Sequence, residues 1–552
     1  MYIARVPTYT SKKKLSHVAI LLRKSYRENG KTKTKTIANL THEPPEVVSA
    51  IEWALTHNKE IQQIEGVFTS PKKIKEGKSI GAVYLIKEYL KKTGIEKALG
   101  NTLQAKLAMM QIMARIIDQG SRLSTVRISA DYHAICEVLG IEEEITEDDL
   151  YRNLRWLSEK QASIEQKLFK IRYGDKKTDV FLYDVTSSYM EGSKNVLAIF
   201  GYNRDKKKGK MQVVVGLLCD EDGNPISVKV FKGNTLDFKT VSEEIKQIAE
   251  EFSCRRIIFV GDRGMIKSQQ IEEIQENDFY YITAITKSQI ETMLKSGLLQ
   301  MSMFDTELTE VYDEETRYIL RRNPVRAAEL MRIRKMKELA VEKLCRKKTE
   351  YLQTHNRSKL DVALKEIESK IKSNRLGSWL SVKVSGREIQ IEEDKSQLSE
   401  ESKLDGCYVI KSNLDSEIKK EEIHRKYKEL SKVEGAFRCS KTELLEMRPW
   451  YVRCEASTRG HALVVMMSLI IIKQLEEVWK EFDLTVEEGI KQLSTLCLLE
   501  VERGKEEKIK YNEIPKPREM SEKLLKAAKV KMPEYYPAKK ANVRSRKKLI
   551  RK

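Results

Sequence analysis

Two kinds of apolar pattern alternate along the chain. Val180 to Tyr183 is an unbroken apolar run, too short for a helix, that ends on Asp184. It predicts a strand buried on both faces that stops near Asp184, because Asp is a poor strand residue. Ile257-Ile-Phe-Val-Gly-Asp262 repeats the arrangement, an apolar run closed by an acid. Between them, Met211 to Cys219 and Ile226 to Phe231 flank the turn Asp220-Glu-Asp-Gly-Asn-Pro225, and with the first strand they predict an antiparallel meander. Helical spacing marks 236–252 and 268–277, and 279–285 returns to strand.

The flanking patterns differ. His17–Leu22 and Lys33–Leu40 bracket Glu28-Asn-Gly-Lys31, a strong hairpin signal, and a short helix is predicted from Glu43-Pro-Pro-Glu46 through Trp53. This hairpin is basic; a phosphate-tracking ribbon and a solvated edge strand both fit. Residues 79–172 read as helices throughout, with Thr146 as an N-cap before acids in the first turn. These helices suit DNA reading or plain packing. From about 290 to 404 the α/β pattern is interrupted by a strand at Tyr312–Arg321, a basic helical tract at 324–374 and alternation at 379–391, which predicts an inserted subdomain. A strand at 404–412, helix at 416–446 and a buried helix at 458–482 follow; from 483 on, helical fragments broken by prolines are expected, ending in a basic tail at 539–552.

The fold class expected is therefore multidomain: an α/β ribonuclease-H-like core of order β-β-β-α-β-α-β-α, an inserted mixed α/β subdomain, and an N-terminal hairpin and helical DNA-binding region. The divisions are 1–60 (basic hairpin and helix, DNA contact), 79–175 (helical, DNA-end binding), 176–290 (first part of the core), 291–404 (insertion), 405–482 (second part of the core) and 483–552 (C-terminal helices and tail).

Charge changes the picture next. The 552 residues carry 102 Lys and Arg against 82 Asp and Glu, a net +20 that favours a polyanionic partner. Eight Cys are scattered without a CxxC pair, which excludes a written zinc site and fits reduced thiols. Met1-Tyr-Ile-Ala-Arg-Val-Pro7 lacks the apolar core of a signal peptide, and the run Ala462–Ile472 is too short to span a bilayer.

Two buried strands that each deliver an acid suggest one shared metal site. In the predicted 416–446 helix, Tyr427, Leu430, Glu434 and Lys441 fall near one stripe, since seven residues drift only about 20° around a helix. If that stripe faces the strand ends, Glu434 joins Asp184 and Asp262. Three carboxylates suit Mg²⁺ or Mn²⁺, and two such ions activate water and stabilise a leaving 3′-oxygen. A surface ion pair of Glu434 with Arg438 is the competing reading.

These residues resemble the signature of bacterial insertion-sequence DDE transposases, in the branch whose third acid lies in Tyr-x2-Arg-x3-Glu-x6-Lys. The pattern falls on Tyr427, Leu430, Glu434 and Lys441, with Leu430 where the branch usually has Arg. Tyr-Asp-Val-Thr-Ser at 183–187 and Gly-Asp-Arg-Gly at 261–264 resemble the first- and second-acid motifs; Val433-Glu-Gly-Ala-Phe-Arg438 and Arg448-Pro-Trp450 add to the likeness. The resemblance implies a DNA transposase that hydrolyses phosphodiesters at the element's 3′ ends and transfers strands into target DNA. It implies catalytic and metal-holding roles for Asp184, Asp262 and Glu434, with two Mg²⁺ or Mn²⁺ ions. DNA contacts fall to Tyr427, Lys441, Arg438 and Arg263. Trp379 or Trp450 would stack on a flipped base and His461 would sit near the phosphate, although core roles compete for all three. The partners implied are terminal repeats, target DNA and a second copy of the chain, in the cytoplasm near the nucleoid. A catalytically silent descendant and a ribonuclease-H-like nuclease with another nucleic-acid substrate are the rival readings.

Overall fold

The computed structural model describes residues 1–9, 15–28, 30–56, 73–174, 180–202, 204–205, 207–242, 257–263, 265–448, 450–503 and 509–536. Three strands open the chain: β1 (Tyr2–Tyr9), β2 (Leu15–Glu28) and β3 (Lys31–Asn39) form an antiparallel sheet in that order. The β2–β3 hairpin sits at the expected turn, where Gly30 takes φ +72°, and the helix Pro45–Thr56 follows. β4 (Lys73–Ser79) was not anticipated.

The centre is an eight-stranded mixed sheet. Its strands are β5 (Val180–Tyr189), β6 (Gln212–Cys219), β7 (Pro225–Lys232), β8 (Ile258–Gly261), β9 (Tyr280–Ala284), β10 (Thr309–Asp313), β11 (Thr316–Arg322) and, after β12 (Leu380–Ser385) and β13 (Glu388–Glu393), β14 (Cys407–Ser412). The order is β10-β11-β14-β9-β8-β5-β6-β7. β5, β6 and β7 are the antiparallel meander; β8 and β9 run parallel to β5. The helix Ser268–Glu276 joins β8 to β9, and of the helix expected at 236–252 only residues up to 242 are described.

β5 does not stop at Asp184, as the sequence suggested; it runs on to Tyr189. The reason lies in its two neighbours. The parallel ladder with β8 ends at Tyr183–Gly261, but the antiparallel ladder with β6 continues to Tyr189–Gln212. Hydrogen bonding to β6 outweighs the poor strand preference of one Asp, a case of context overriding propensity.

Side chains alternate across β5. Val180 and Leu182 enter a large apolar core shared with the helices Gly81–Lys92, Leu103–Ile117, Glu147–Tyr173 and Glu455–Trp479; Phe181, Tyr183 and Val185 enter a second core on the opposite face with Phe231, Ile274 and Phe279. Thr146 caps the 147–173 helix in a capping box with Asp149. That helix and the buried 455–479 helix touch at Gly460, where a Cβ would stand 1.9 Å from the Leu154 carbonyl oxygen. No helix among the described residues is long and apolar enough to cross a membrane.

The excursion at 291–404 divides in two. β10 and β11 extend the main sheet, β11 pairing antiparallel with β14 and β10 with β11. Residues from Pro324 on leave it: helices Pro324–Thr354 and Leu360–Asn374 and the β12–β13 hairpin bury a separate core around Val341, Ile367, Trp379 and Ile389. The C-terminal region is not only helical. β15 (Cys497–Arg503) and β16 (Ile509–Glu513) pair with each other, and β17 (Tyr535–Tyr536) and β4 complete a four-stranded sheet. The alternation in Cys497-Leu-Leu-Glu-Val-Glu-Arg503 carried that signal. The basic tail at 539–552 lies outside the described residues.

Candidate active site

The register of the central sheet brings the first two acids side by side. Tyr183 pairs with Gly261 in the parallel ladder, so the next step along both strands sets Asp184 beside Asp262. Asp184 shares the β5 face of Val180 and Leu182. Burial raises its carboxyl to about 7; the Val185 N–H opposes this, the Asp262 charge adds to it, Arg204 opposes it and Glu434 adds to it again. Asp262 is exposed, and its Oδ1 accepts from the Arg263 N–H at 2.7 Å and from the Tyr427 hydroxyl at 3.4 Å. Burial, then Asp262, push the Tyr427 phenol well above its ordinary value.

The third acid arrives on a broken helix. The segment expected to be one helix from 416 to 446 is two α-helices, Lys420–Glu429 and Ser431–Arg438, followed by a π-helical turn at Cys439–Glu443. The first packs on β8 and β9, the second on β5 and β6. The apolar face Val433, Ala436 and Phe437 is buried against the sheet, and Glu434 lies exposed beside it. Leu430, at the junction, is buried in the main core. An Arg there would have to leave that core, which accounts locally for the apolar residue.

Lys441 departs from its expected place. The π turn winds more slowly than an α-helix, so Lys441 does not continue the stripe of Tyr427 and Glu434. Its ammonium donates to Thr186 Oγ1 at 3.0 Å and the Ser187 carbonyl at 2.6 Å, and it pairs with Asp205 Oδ1 at 2.7 Å. An ammonium has three donors, and all three are used within the protein. Lys441 thereby ties the Glu434 segment to β5.

Asp205 was not singled out from the sequence. Its side chain is only 2% exposed, pairs with Arg448 as well as Lys441, and accepts from the Tyr189 N–H at 3.1 Å. The legible signal was an acid alone in the basic run Arg204-Asp-Lys-Lys-Lys208. The hydroxyls after Asp184 serve similarly: Ser187 Oγ accepts from the Arg204 N–H at 2.8 Å, and Ser188 Oγ accepts from the Trp450 indole at 2.8 Å.

The remaining candidates separate. Trp450 is fully buried, and Trp379 lies in the core of the 324–402 subdomain, so neither is available to a base; their size fills cores better than surfaces. His461 is buried, 2.8 Å from Arg122 Nη2 and edge-on to Trp450, and burial followed by Arg115 and Arg122 hold it well below its ordinary value. Arg438 is exposed on the Glu434 helix. Arg263 lines a cavity of about 370 Å³ with Asp262, Lys287, Tyr408, Tyr427 and Lys428. Gly264 and Pro449, parts of two motifs, lie outside the described residues. Among the described residues, no group of three or more His, Cys, Asp or Glu is gathered closely enough to hold a metal ion.

The central sheet thus presents two acids at adjacent strand positions in a chain of net charge +20, and comparison with known proteins supplies the class. The family model for the transposase DDE domain matches residues 175–471, and that for the IS1634 family transposase N-terminal domain matches residues 5–69. The chain belongs to the transposase DDE domain family and is a DNA transposase of the bacterial insertion-sequence type. Members of this family generally use divalent metal ions, and DNA is the partner. No curated protein matches the chain closely enough to serve as a relative. A cryo-EM structure of piggyBac transposase in a synaptic complex with hairpin DNA aligns over 75% of this chain and 78% of that one, at 9% identity and a TM-score of 0.35, a likeness too distant to argue from.

Proposed function

We propose that Asp184, Asp262 and Glu434 are the catalytic acids of a ribonuclease-H-like core that hydrolyses phosphodiesters at the 3′ ends of the element and joins those ends to target DNA, working as a homodimer. The observation that carries this reading is the register of the central sheet, which sets Asp184 beside Asp262. The Glu434 helix packs on β5 and β6, beside the strand that carries Asp184, and the Asp262 and Glu434 charges both act on the buried Asp184 carboxyl. The succession of meander, parallel strand and parallel strand supports the ribonuclease-H-like assignment.

The donor chemistry fits a hard cation, since all three groups are carboxylates; an ion would have to draw Glu434 and the two strand acids together. Asp184, Asp262 and Glu434 would hold Mg²⁺ or Mn²⁺, which supplies charge neutralisation at the phosphate and an activated water. The protein's own groups do the rest. The Tyr427 hydroxyl orients Asp262, and Lys441 fixes β5 against the segment that carries Glu434. Arg263 and Lys428 line the cavity beside Asp262 and give a phosphate two cationic walls.

Nicking of duplexes carrying the element ends, assayed with Mg²⁺ and with Mn²⁺, tests the assignment. Asp184→Asn, Asp262→Asn and Glu434→Gln are each expected to abolish nicking and strand transfer while DNA binding survives. Nicking retained by any one variant removes that acid from the site. A wild-type protein that binds ends but never nicks in either metal is a silent descendant.

A further inference from the structure

We propose that the described residues of the loop between β5 and β6, 196–202, 204–205 and 207–210, form a binding platform for single-stranded DNA beside the proposed catalytic acids. The loop carries three exposed apolar side chains within seven residues: Val196 at 64%, Phe200 at 64% and Tyr202 at 84% exposure. Lone exposed hydrophobics need no explanation, but these stand next to Arg204, Lys207 and Lys208. Arg204 lies 6.0 Å from the Tyr202 ring centre. Aromatic rings interleaved with cations are the chemistry that binds unpaired bases and their backbone: each base offers a π face, each phosphate a charge. A duplex hides its base faces, so this pairing of groups favours a single strand over a double one.

The backbone beneath these rings is held rigidly. Gln212 Nε2 donates to the Tyr202 carbonyl at 3.1 Å and the Gly233 carbonyl at 2.8 Å. Gly201 presses on Gly233 so closely that a Cβ would fall 2.1 Å from its carbonyl oxygen, which leaves the rings on either side projecting outward. The loop's other end is pinned at Ser187 and through Asp205 to Lys441. The rings are therefore presented on a fixed frame, with little ordering left to oppose binding. That frame meets β5 three residues from Asp184, through the Arg204 N–H bond to Ser187 Oγ.

The destination of the strand rests on the reading of Asp184, Asp262 and Glu434 given above; its binding does not. The test uses the full chain and two probes. In fluorescence anisotropy with a labelled oligothymidine, Tyr202→Ala is expected to bind about tenfold more weakly, in the range of one lost base stack, and Tyr202→Trp to bind as wild type. Affinity for a duplex of equal length should not change. Equal oligothymidine affinity of Tyr202→Ala and wild type overturns the proposal, as does an equal loss on duplex and single strand. In nicking assays, the deficit of Tyr202→Ala on paired ends should be relieved when the terminal base pairs are mismatched; an equal deficit on both also overturns it. If the three acid variants nick normally while Tyr202→Ala still loses oligothymidine, the assignment of the acids fails and the platform stands. If the acid variants are dead and Tyr202→Ala behaves as wild type, the platform alone fails.

Discussion

Lys441 and Asp205 form the more deeply buried of the two ion pairs at Asp205, with side chains 11% and 2% exposed. Burial lowers the Lys441 ammonium from its ordinary value and Asp205 draws it back up. Removing one member of such a pair leaves the other charge buried, which costs about 3–5 kcal/mol, but Arg448 still faces Asp205. Lys441→Ala is therefore expected to lower stability toward the bottom of that range. Lys441→Ala and Asp205→Ala should be strongly non-additive in a double-mutant cycle read by chemical denaturation. Full stability of Lys441→Ala combined with weakened DNA binding would return Lys441 to a phosphate role. At this scale the sequence spacing put Tyr427 on the Glu434 stripe, because helix periodicity is a local property; its bond to Asp262 came only with the fold. It missed Asp205, because a lone acid in a basic run looks like any solvated charge until Lys441 is folded onto it.

Among elements, the contact of the 147–173 helix with β7 is a buried polar one. Glu165 is fully buried; its carboxylate accepts from Gln161 at 2.9 Å, Ser227 Oγ at 2.9 Å and the Val228 N–H at 3.2 Å. Desolvation still raises it from 4.5 to about 7, against those hydrogen bonds. Folded protein thus holds a proton that the unfolded chain releases. Stability from this group is complete below about pH 4.5 and is lost as pH rises through about 7, a change on the order of 3 kcal/mol. Glu165→Gln should flatten the dependence of the denaturation midpoint on pH between 5 and 8, if it leaves the fold intact by far-ultraviolet circular dichroism; an unchanged slope would refute the assignment. The helix itself was legible from its cap and spacing. The length of β5 was not, because its last five residues follow the partner strand β6 rather than their own propensity.

For the whole molecule, net charge and surface decide how DNA is met. With a net +20 and basic groups on the β2–β3 hairpin, the 324–354 helix and the β5–β6 loop, binding should release many counterions. The logarithm of the association constant is expected to fall linearly and steeply with the logarithm of salt concentration, losing at least about a hundredfold between 50 and 200 mM. A flat response would remove a phosphate-tracking surface from consideration. The 324–402 subdomain, with its own core, is a separate packing unit whose sequence boundary was drawn too early. β10 and β11 precede it and complete the main sheet.

The sequence by itself determined the two acid-bearing strands, the meander, the hairpin, the helix carrying Glu434 and the basic character of the surface. Each of these is written in local periodicity, turn chemistry or charge. Only the tertiary structure decided where β5 ends, that β4 joins β15 across more than four hundred residues, that Trp379, Trp450 and His461 are core groups, and that Lys441 is spent on Asp205. Those outcomes depend on which distant segment arrives as a neighbour, and pairing between segments far apart leaves little trace in either one alone.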